Sequence, residues 1–171
     1  MIGKSEQTMK RTPKTRPSST DSMDSRCRLG PRPKNDKGYF EEMTKAVFRS
    51  GMKWEVVDKK WPGFKKAFAN FSIQKVARFD EPELVRLMKD EGIIRNQKKV
   101  MATMINAREF LGIRKEYGSF ADYLKITVRE GEDALGKDLS KRFAFMGPST
   151  TLFFLRAVGE KMPEMMRKRQ A

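Results

Sequence analysis

One predicted turn in this sequence carries the residue types that bind a phosphate group. The segment FMGPST, residues 145–150, places a glycine, a proline and two hydroxyl residues at the joint between two predicted helices. Glycine lets another molecule approach the backbone closely, and the N–H groups of a fresh helix N-terminus attract anions. A helix joint formed for packing alone is the alternative interpretation. The predicted phosphate-binding residues are Gly147, Pro148, Ser149 and Thr150, with Lys141 and Arg142 just upstream.

A second basic cluster lies in the segment GIIRNQKK, residues 92–99. Here Arg95, Lys98 and Lys99 crowd the first turns of the longest predicted helix. Positive side chains at a helix N-terminus oppose the helix dipole, and a bound phosphate would offset that cost. We therefore predict that Arg95 and Lys98 contact phosphates, and a solvated charged face is the alternative.

A tryptophan follows the end of an earlier predicted helix, in the segment KAVFRSGMKW, residues 45–54. Gly51 is a typical helix stop, and Trp54 comes just beyond it. The helix carries Lys45 and Arg49 but no acidic residue in its last turns. On residue type alone Trp54 is a core residue, and a flat ring to stack on is the alternative.

The composition excludes several kinds of chemistry. The chain has no histidine and one cysteine, Cys27, so Ser-His-Asp and Cys-His mechanisms and an internal disulfide are excluded, and ordinary zinc ligands are lacking. Lysine and arginine number 37 against 22 acidic residues, a net charge of +15. Such an excess predicts a polyanionic partner, either nucleic acid or an anionic membrane surface. With no apolar run of spanning length or signal-peptide core, we expect an intracellular protein of the cytoplasm or nucleoid.

The elements that position these residues are predicted to be helices throughout. Apolar residues recur at helical spacing from Tyr39 onward, and no alternating strand pattern is found, so the predicted fold is all-α. Residues 1–37 are rich in Pro, Ser, Thr, Lys and Arg and predict a disordered basic tail. The helical domain is assigned to residues 38–162 and a basic C-terminal tail to residues 163–171.

Several boundaries between helices are predicted from capping and breaking residues. Pro62-Gly63 is taken as a break, and Gly112 as the end of the longest helix. Asp80 and Glu83 are taken as a capping box, Ser119 as a helix start, and residues 129–136 as a polar connection.

Taken together, these segments resemble the DNA-3-methyladenine glycosylase I family of helix-hairpin-helix DNA glycosylases. The matching phrases are YFEEMTKAVFRSGMKW, KKWPGFKKAFANFSIQKVARFDEPELVRLMKDEGIIRNQKKVMATMINAREFL, YGSFADYL and LSKRFAFMGPSTTLFFLRAVG, which cover about residues 39–160. The resemblance implies that the glycine turn holds a DNA phosphate. It also implies that Trp54 packs on an extruded base, and we assign Ala46, Phe48 and Arg49 to the pocket around it.

The sequence departs from the family at three places. Ala46 stands where the family has its base-recognising glutamate, and the family's Tyr-His-Asp segment has no match. The positions of its C-terminal zinc ligands are Glu164 and Lys168, so no metal and no cofactor are predicted. Glu42 lies one helical turn before Ala46, and our hypothesis is that Glu42, or Glu41, acts as the catalytic acid. Solvent-facing acids are the alternative.

The resemblance implies a base-excision repair glycosylase that flips an alkylated base and hydrolyses its N-glycosidic bond. We expect a monomer that binds double-stranded DNA containing damaged bases and no membrane. A non-catalytic helix-hairpin-helix DNA-binding module that has lost the acid is the alternative. A basic helical protein that binds RNA or another protein fits the charge but not the ordered resemblance.

Overall fold

The computed structural model describes residues 29–160, apart from the side chain of Glu132, and this part of the chain is helical with no strand. A 3₁₀ turn at Ala69–Phe71 joins the second and third helices. The helices are α1 Asp36–Arg49, α2 Trp54–Ala67, α3 Ile73–Val76, α4 Glu81–Lys89, α5 Gln97–Tyr117, α6 Phe120–Arg129, α7 Glu132–Arg142 and α8 Pro148–Ala157. The predicted all-α class is confirmed.

Helix α1 forms because it is capped at one end and amphipathic along its length. The Asn35 side chain accepts a hydrogen bond from the Gly38 N–H at 3.0 Å, which satisfies one of the first free donors. Its apolar residues bury one face against α5, α8 and the 3₁₀ turn. The helix ends at Arg49, and Gly51 has a φ of 69°, a conformation that glycine adopts without strain.

Aromatic rings form the centre of the core. Phe110 on α5 stacks on Phe120 with ring centroids 4.4 Å apart, and Phe40 on α1 meets Phe110 edge-on at 5.5 Å. Trp61 stacks on Phe71 at 5.3 Å, so α2 is held to the 3₁₀ turn by the same kind of contact. These rings fix the relative positions of α1, α2, α5 and α6, and through them the candidate site.

Three predicted boundaries are wrong. Pro62 lies inside α2 rather than ending it, because the buried Trp61 and Phe64 on either side hold the helix in the core. Helix α5 continues past Gly112 to Tyr117, since the buried Ile113 extends its apolar face and Gly118, with a φ of 86°, ends it. Helix α7 begins inside the predicted connection, where Leu135 and Leu139 are buried.

The predicted capping box at the start of α4 is also wrong. Asp80 is the N-cap residue, but its side chain makes no capping hydrogen bond. The carboxylate of Glu83 instead accepts a hydrogen bond from Arg86 at 2.6 Å. Ser119 behaves as predicted, since its hydroxyl accepts a hydrogen bond from the Asp122 N–H at 3.0 Å.

Packed structure begins upstream of the predicted boundary at residue 38. The Gly30 N–H donates to the Arg156 carbonyl at 2.8 Å, and Arg32 pairs with Glu160 at 2.8 Å. A Cβ on Gly30 would lie 2.1 Å from the Ala157 carbonyl oxygen, so only glycine fits this approach. Predictions for Cys27, for the rest of the N-terminal tail and for the C-terminal tail fall outside the described residues. Within residues 29–160, no helix is both long and apolar enough to cross a membrane.

Candidate nucleic-acid interface

Helices α7 and α8 form a helical hairpin whose turn is held by an asparagine from the long helix. Asn106 on α5 donates to the Ala144 carbonyl at 3.1 Å and accepts from the Ala144 N–H at 2.8 Å. Phe145, the next residue, has a φ of 62° and is 42% exposed. The Thr151 hydroxyl donates to the Met146 carbonyl at 2.9 Å. The turn is therefore fixed by neutral hydrogen bonds on both of its sides.

The first turn of α8 presents backbone donors beside an open approach. Gly147 is the N-cap residue and makes no side-chain capping bond, and the first bond of the helix runs from the Thr151 N–H to the Gly147 carbonyl at 2.9 Å. The N–H groups of Ser149 and Thr150 thus precede the first intrahelical bond. Gly147 has an ordinary φ of −64°, and a Cβ added there would meet nothing within 4 Å. The protein's own packing therefore does not require glycine at this position.

Trp54 is the first residue of α2, half-buried, and in contact with two side chains from other helices. The Arg49 guanidinium lies over its ring, 4.7 Å from the centroid. Phe153 of α8 meets the ring edge-on, with centroids 5.3 Å apart and planes at 90°. Since Phe153 lies six residues after Gly147, the rise along α8 from the turn to this contact is about 9 Å. Helix α8 thus carries the hairpin turn at its start and contacts Trp54 of α2 through Phe153.

The two candidate acids on α1 differ in their surroundings. Glu41 is fully engaged, because its carboxylate accepts a hydrogen bond from the Trp61 indole N–H at 2.9 Å and pairs with Lys65 at 3.2 Å. Glu42 makes no hydrogen bond or ion pair within the described residues. Burial raises the pKa of Glu42, while the nearby Lys45 and Arg49 act in the opposite direction. Of the two acids, Glu42 is the one still available for another role.

A buried lysine joins the end of α1 to α5. Lys99 is 5% exposed, and its ammonium group donates to the Phe48 carbonyl at 3.1 Å and to the Ser50 carbonyl. These carbonyls lie at the C-terminal end of α1, where the helix dipole favours a positive charge. Burial lowers the pKa of Lys99. The segment that leads to Trp54 is therefore attached to the same helix that holds the hairpin turn.

Two residues predicted for the site have other roles. Phe48, predicted to line the pocket, is fully buried and packs on Phe64 at 4.5 Å, because it points to a different face of α1 from Ala46. Arg142, predicted to bind phosphate, pairs with three carboxylates, from Glu109, Glu116 and Asp138, at 2.9, 2.7 and 3.3 Å. These carboxylates offset its charge and raise its pKa. Arg142 thus joins α5 to α7.

The other predicted residues differ in exposure. Ala46 is 4% exposed and carries no group that could replace a carboxylate. The remaining predicted phosphate contacts, apart from the buried Thr150, are exposed: Arg95, Lys98, Lys141, Gly147, Pro148 and Ser149. In residues 29–160, no three His, Cys, Asp or Glu side chains are grouped to hold a metal ion. Glu164 and Lys168 lie outside the described residues.

Sequence reasoning missed four residues that shape the site. Phe153 and Asp58 become relevant only through contacts with Trp54 and Arg49 across helices. Asn106 is a polar residue on the apolar face of α5, beside Ala107, and that position is a detectable signal for a buried hydrogen bond. Lys99 could be placed at a helix start, but nothing in its neighbours along the chain indicates that it is buried.

The chain is similar to known DNA glycosylases along most of its length. The methyladenine glycosylase family matches residues 29–134. DNA-3-methyladenine glycosylase 1 of Escherichia coli strain K12 is 31% identical over an alignment of 144 positions, and the match covers 73% of this chain and 77% of that protein. The DNA-3-methyladenine glycosylase of Haemophilus influenzae is 28% identical and covers 70% of this chain and 75% of its own length.

Solved structures show the same likeness. The structure describing 3-methyladenine recognition by 3-methyladenine DNA glycosylase I from Staphylococcus aureus superimposes with a TM-score of 0.70 at 26% identity. The match covers 83% of this chain and 86% of that one. The likeness therefore includes the helical arrangement as well as the sequence.

Proposed function

Because this chain belongs to the methyladenine glycosylase family, we propose that it is a DNA repair glycosylase that removes alkylated bases by hydrolysing the N-glycosidic bond. The observation that carries the proposal is the contact between Phe153 and Trp54. It joins the helix that begins at the glycine turn to the aromatic ring proposed as the base-stacking surface. A phosphate and a base of the same DNA segment can then be held at once.

We assign the DNA contacts to the hairpin and to the exposed basic residues. The N–H groups of Ser149 and Thr150 would donate to a phosphate oxygen, and Gly147 would let the DNA backbone approach. Lys141, Arg95 and Lys98 would add sequence-independent attraction to phosphates. Duplex DNA with a damaged base is the proposed partner, and the protein is proposed to act as an intracellular monomer without a cofactor.

In the proposed reaction an N-alkylated purine leaves with the electron pair of its glycosidic bond. This pair neutralises the positive charge that alkylation places on the base, so the base needs little protonation. Water adds to the sugar carbon and loses its proton. The Glu42 carboxylate would stabilise the positive charge that develops on the sugar or accept that proton. General acid–base assistance contributes a factor of about 10² to 10⁴.

Release of 3-methyladenine from methylated duplex DNA tests the proposal. We expect release by the unaltered protein, with Trp54→Ala and Glu42→Gln each slower by roughly 10²-fold, because stacking and charge stabilisation are lost. Glu41→Gln is the matched control, since Glu41 is already bonded to Trp61 and Lys65. Equal rates for the unaltered protein, Trp54→Ala and Glu42→Gln would exclude the proposed site.

A second candidate is a DNA-binding module without catalysis. The observation that favours it is Ala46, which is buried where the resemblance implies a glutamate. Salt-sensitive, lesion-independent DNA binding with no base release would support this candidate.

A further inference from the structure

Within residues 29–160, two phenylalanines have a left-handed backbone, and their surroundings differ. Phe71 in the 3₁₀ turn has a φ of 55°, and Phe145 in the hairpin turn has a φ of 62°. This region is unfavourable for a bulky side chain. Phe71 is fully buried and stacks on Trp61, so core packing offsets the cost. Phe145 is 42% exposed, and no ring of the described residues stacks on it, so stacking in the core does not account for its conformation.

The residues on either side of Phe145 keep its backbone in this conformation. Ala144 is bonded through both its N–H and its carbonyl to the Asn106 side chain, at 2.8 and 3.1 Å. Met146 is buried, and its carbonyl accepts a hydrogen bond from the Thr151 hydroxyl at 2.9 Å. Relaxing the φ of Phe145 would disturb these contacts. The turn therefore holds a partly exposed aromatic ring at a fixed place on the surface.

The Phe145 ring lies close to the proposed phosphate seat. Phe145 is two residues before Gly147, the N-cap residue of α8, so their Cα atoms are at most about 7 Å apart. In a nucleic-acid strand each phosphate is bonded to a sugar on both sides, so a ring beside a bound phosphate meets a sugar first. More than half of Phe145 is covered by the protein, so the side chain offers a face or an edge rather than a projecting wedge.

An apolar ring favours deoxyribose over ribose at such a contact. In deoxyribose, C2′ is the only carbon that carries no oxygen or nitrogen, so it can pack on the ring without losing a hydrogen bond. Ribose carries a hydroxyl at C2′, and this is the group by which proteins tell RNA from DNA. A hydroxyl placed against the ring would lose its hydrogen bonds to water without gaining a partner.

We propose that Phe145 packs on the deoxyribose next to the phosphate held by the hairpin turn, and so makes the protein prefer DNA to RNA. The inference rests on the proposed function, since it assumes that the turn holds a DNA phosphate. The contact adds affinity without neutralising a phosphate. It also supplies a selectivity that lysine and arginine contacts to phosphates do not, because both nucleic acids carry the same phosphates.

The test compares the binding of duplex DNA and duplex RNA of one undamaged sequence. The measured quantities are the ratio of the two dissociation constants and the slope of log affinity against log salt concentration. Phe145→Gly and Phe145→Ala both remove the ring, but only glycine adopts a φ of 62° without strain. Val85→Ala is the matched control, since it shortens a side chain that is 47% exposed on α4. Lys141→Gln shows the effect of losing one charge near the turn.

We expect the unaltered protein to bind duplex DNA more tightly than duplex RNA. Covering the exposed part of a phenyl ring corresponds to about tenfold in affinity, so both Phe145 variants should lose about that factor on DNA and little on RNA. The preference for DNA should fall by the same factor, while the salt slope stays the same because no charge is lost. Lys141→Gln should weaken both complexes and reduce the slope by about 1. Val85→Ala should change neither quantity.

Thermal melting separates the ring from the backbone. Phe145→Gly should melt about 2–4 °C above Phe145→Ala, because alanine keeps the unfavourable backbone conformation. The two variants should nevertheless bind DNA equally, since both lack the ring. A loss of affinity that follows stability, larger for Phe145→Ala than for Phe145→Gly, would show a structural role and overturn the inference.

Two further results would overturn it. One is an unchanged preference for DNA in Phe145→Gly. The other is base unstacking that Phe145→Gly abolishes, followed by 2-aminopurine fluorescence, because it would place the ring between bases. Release of 3-methyladenine from methylated DNA is measured in parallel. A reduced preference for DNA in Phe145→Gly without any release by the unaltered protein would reject the glycosylase function and support the sugar contact. Release with an unchanged preference would reject only the sugar contact.

Discussion

The hairpin turn lies between α7 and α8, whereas the Trp54 face lies on α1 and α2, and the two are held by different interactions. Asn106 fixes the turn through two hydrogen bonds between neutral groups, at 2.8 and 3.1 Å. The Trp54 face is bounded by charged groups: Arg49 lies over the ring, Asp58 holds Arg49, and Glu42 is half-buried with a raised pKa. Hydrogen bonds between neutral groups hold the backbone of the turn, whereas charged side chains surround the Trp54 ring.

Under the proposed function, this difference would let one scaffold keep DNA binding while its base preference changes. The turn is proposed to contact a phosphate, a group that every nucleotide carries, so the same turn would serve any DNA sequence. The Trp54 face is proposed to contact the base, which is the group that differs between lesions. Ala46 and Arg49 are both on that side of the molecule, next to the core residues Val47 and Phe48, which keep the helix in place. Four substitutions test whether the two regions are independent.

Asn106→Ala should have the largest effect. It leaves the N–H and carbonyl groups of Ala144 unpaired in a partly buried position. We expect a loss of about 2–4 kcal/mol in the free energy of unfolding, and weaker DNA binding. Asn106→Asp keeps one of the two bonds and should lose less. Thermal and denaturant unfolding measure both variants, and an unchanged melting temperature for Asn106→Ala would show that the bonds do not hold the turn.

Lys99→Met should destabilise the end of α1, which leads to Trp54. The loss of stability should be smaller than for Asn106→Ala. It removes the donor shared by the Phe48 and Ser50 carbonyls while keeping most of the apolar stem. We expect a loss of about 1–3 kcal/mol in the free energy of unfolding. The exposed Lys98→Met is the stability control. If both variants melt at the same temperature, the buried ammonium group does not stabilise the end of α1.

Gly147→Ala should separate DNA binding from stability. A Cβ at this position meets nothing within 4 Å and the φ of −64° is ordinary, so the melting temperature should not fall. A methyl group between the backbone and a phosphate should weaken duplex binding by about tenfold. Ser149→Ala, in the same turn, leaves the backbone approach open and should lose less. Unchanged affinity for Gly147→Ala, measured by fluorescence anisotropy, would contradict the phosphate seat.

Glu42→Gln should change the melting temperature less than the other substitutions change stability or DNA binding. The sign of this change distinguishes an acid kept for function from one that stabilises the fold. The folded-state pKa of Glu42 is raised above its ordinary value of 4.5, so the ionised form destabilises the fold at neutral pH. The variant should therefore melt roughly 1–3 °C higher at pH 7. The gain should shrink as the pH falls through the raised pKa and vanish below about 4.5. A lower melting temperature at pH 7 would show that Glu42 stabilises the fold.

Much of the fold was predictable because it depends on local patterns. Helical spacing and Gly51 predict α1 and its end, and Ser119 predicts the start of α6. Helix-breaking residues gave wrong helix ends at Pro62 and Gly112. Buried residues near each of them keep the helix continuous. The position of the glycine turn was predicted, but the asparagine that holds it is 38 residues away in the chain.

The sequence by itself determined the helical class, the glycine turn, the absence of histidine and the alanine in place of a glutamate. These properties depend on residue type and on spacing along one helix or turn. Only the tertiary structure decided that Glu41 is engaged while Glu42 is not, that Arg142 pairs with its own acids, and that Arg49 covers Trp54. The physical reason is that hydrogen bonds, ion pairs and cation–π contacts act over a few ångströms. Their partners are chosen by how the helices pack, and no spacing along the chain specifies that.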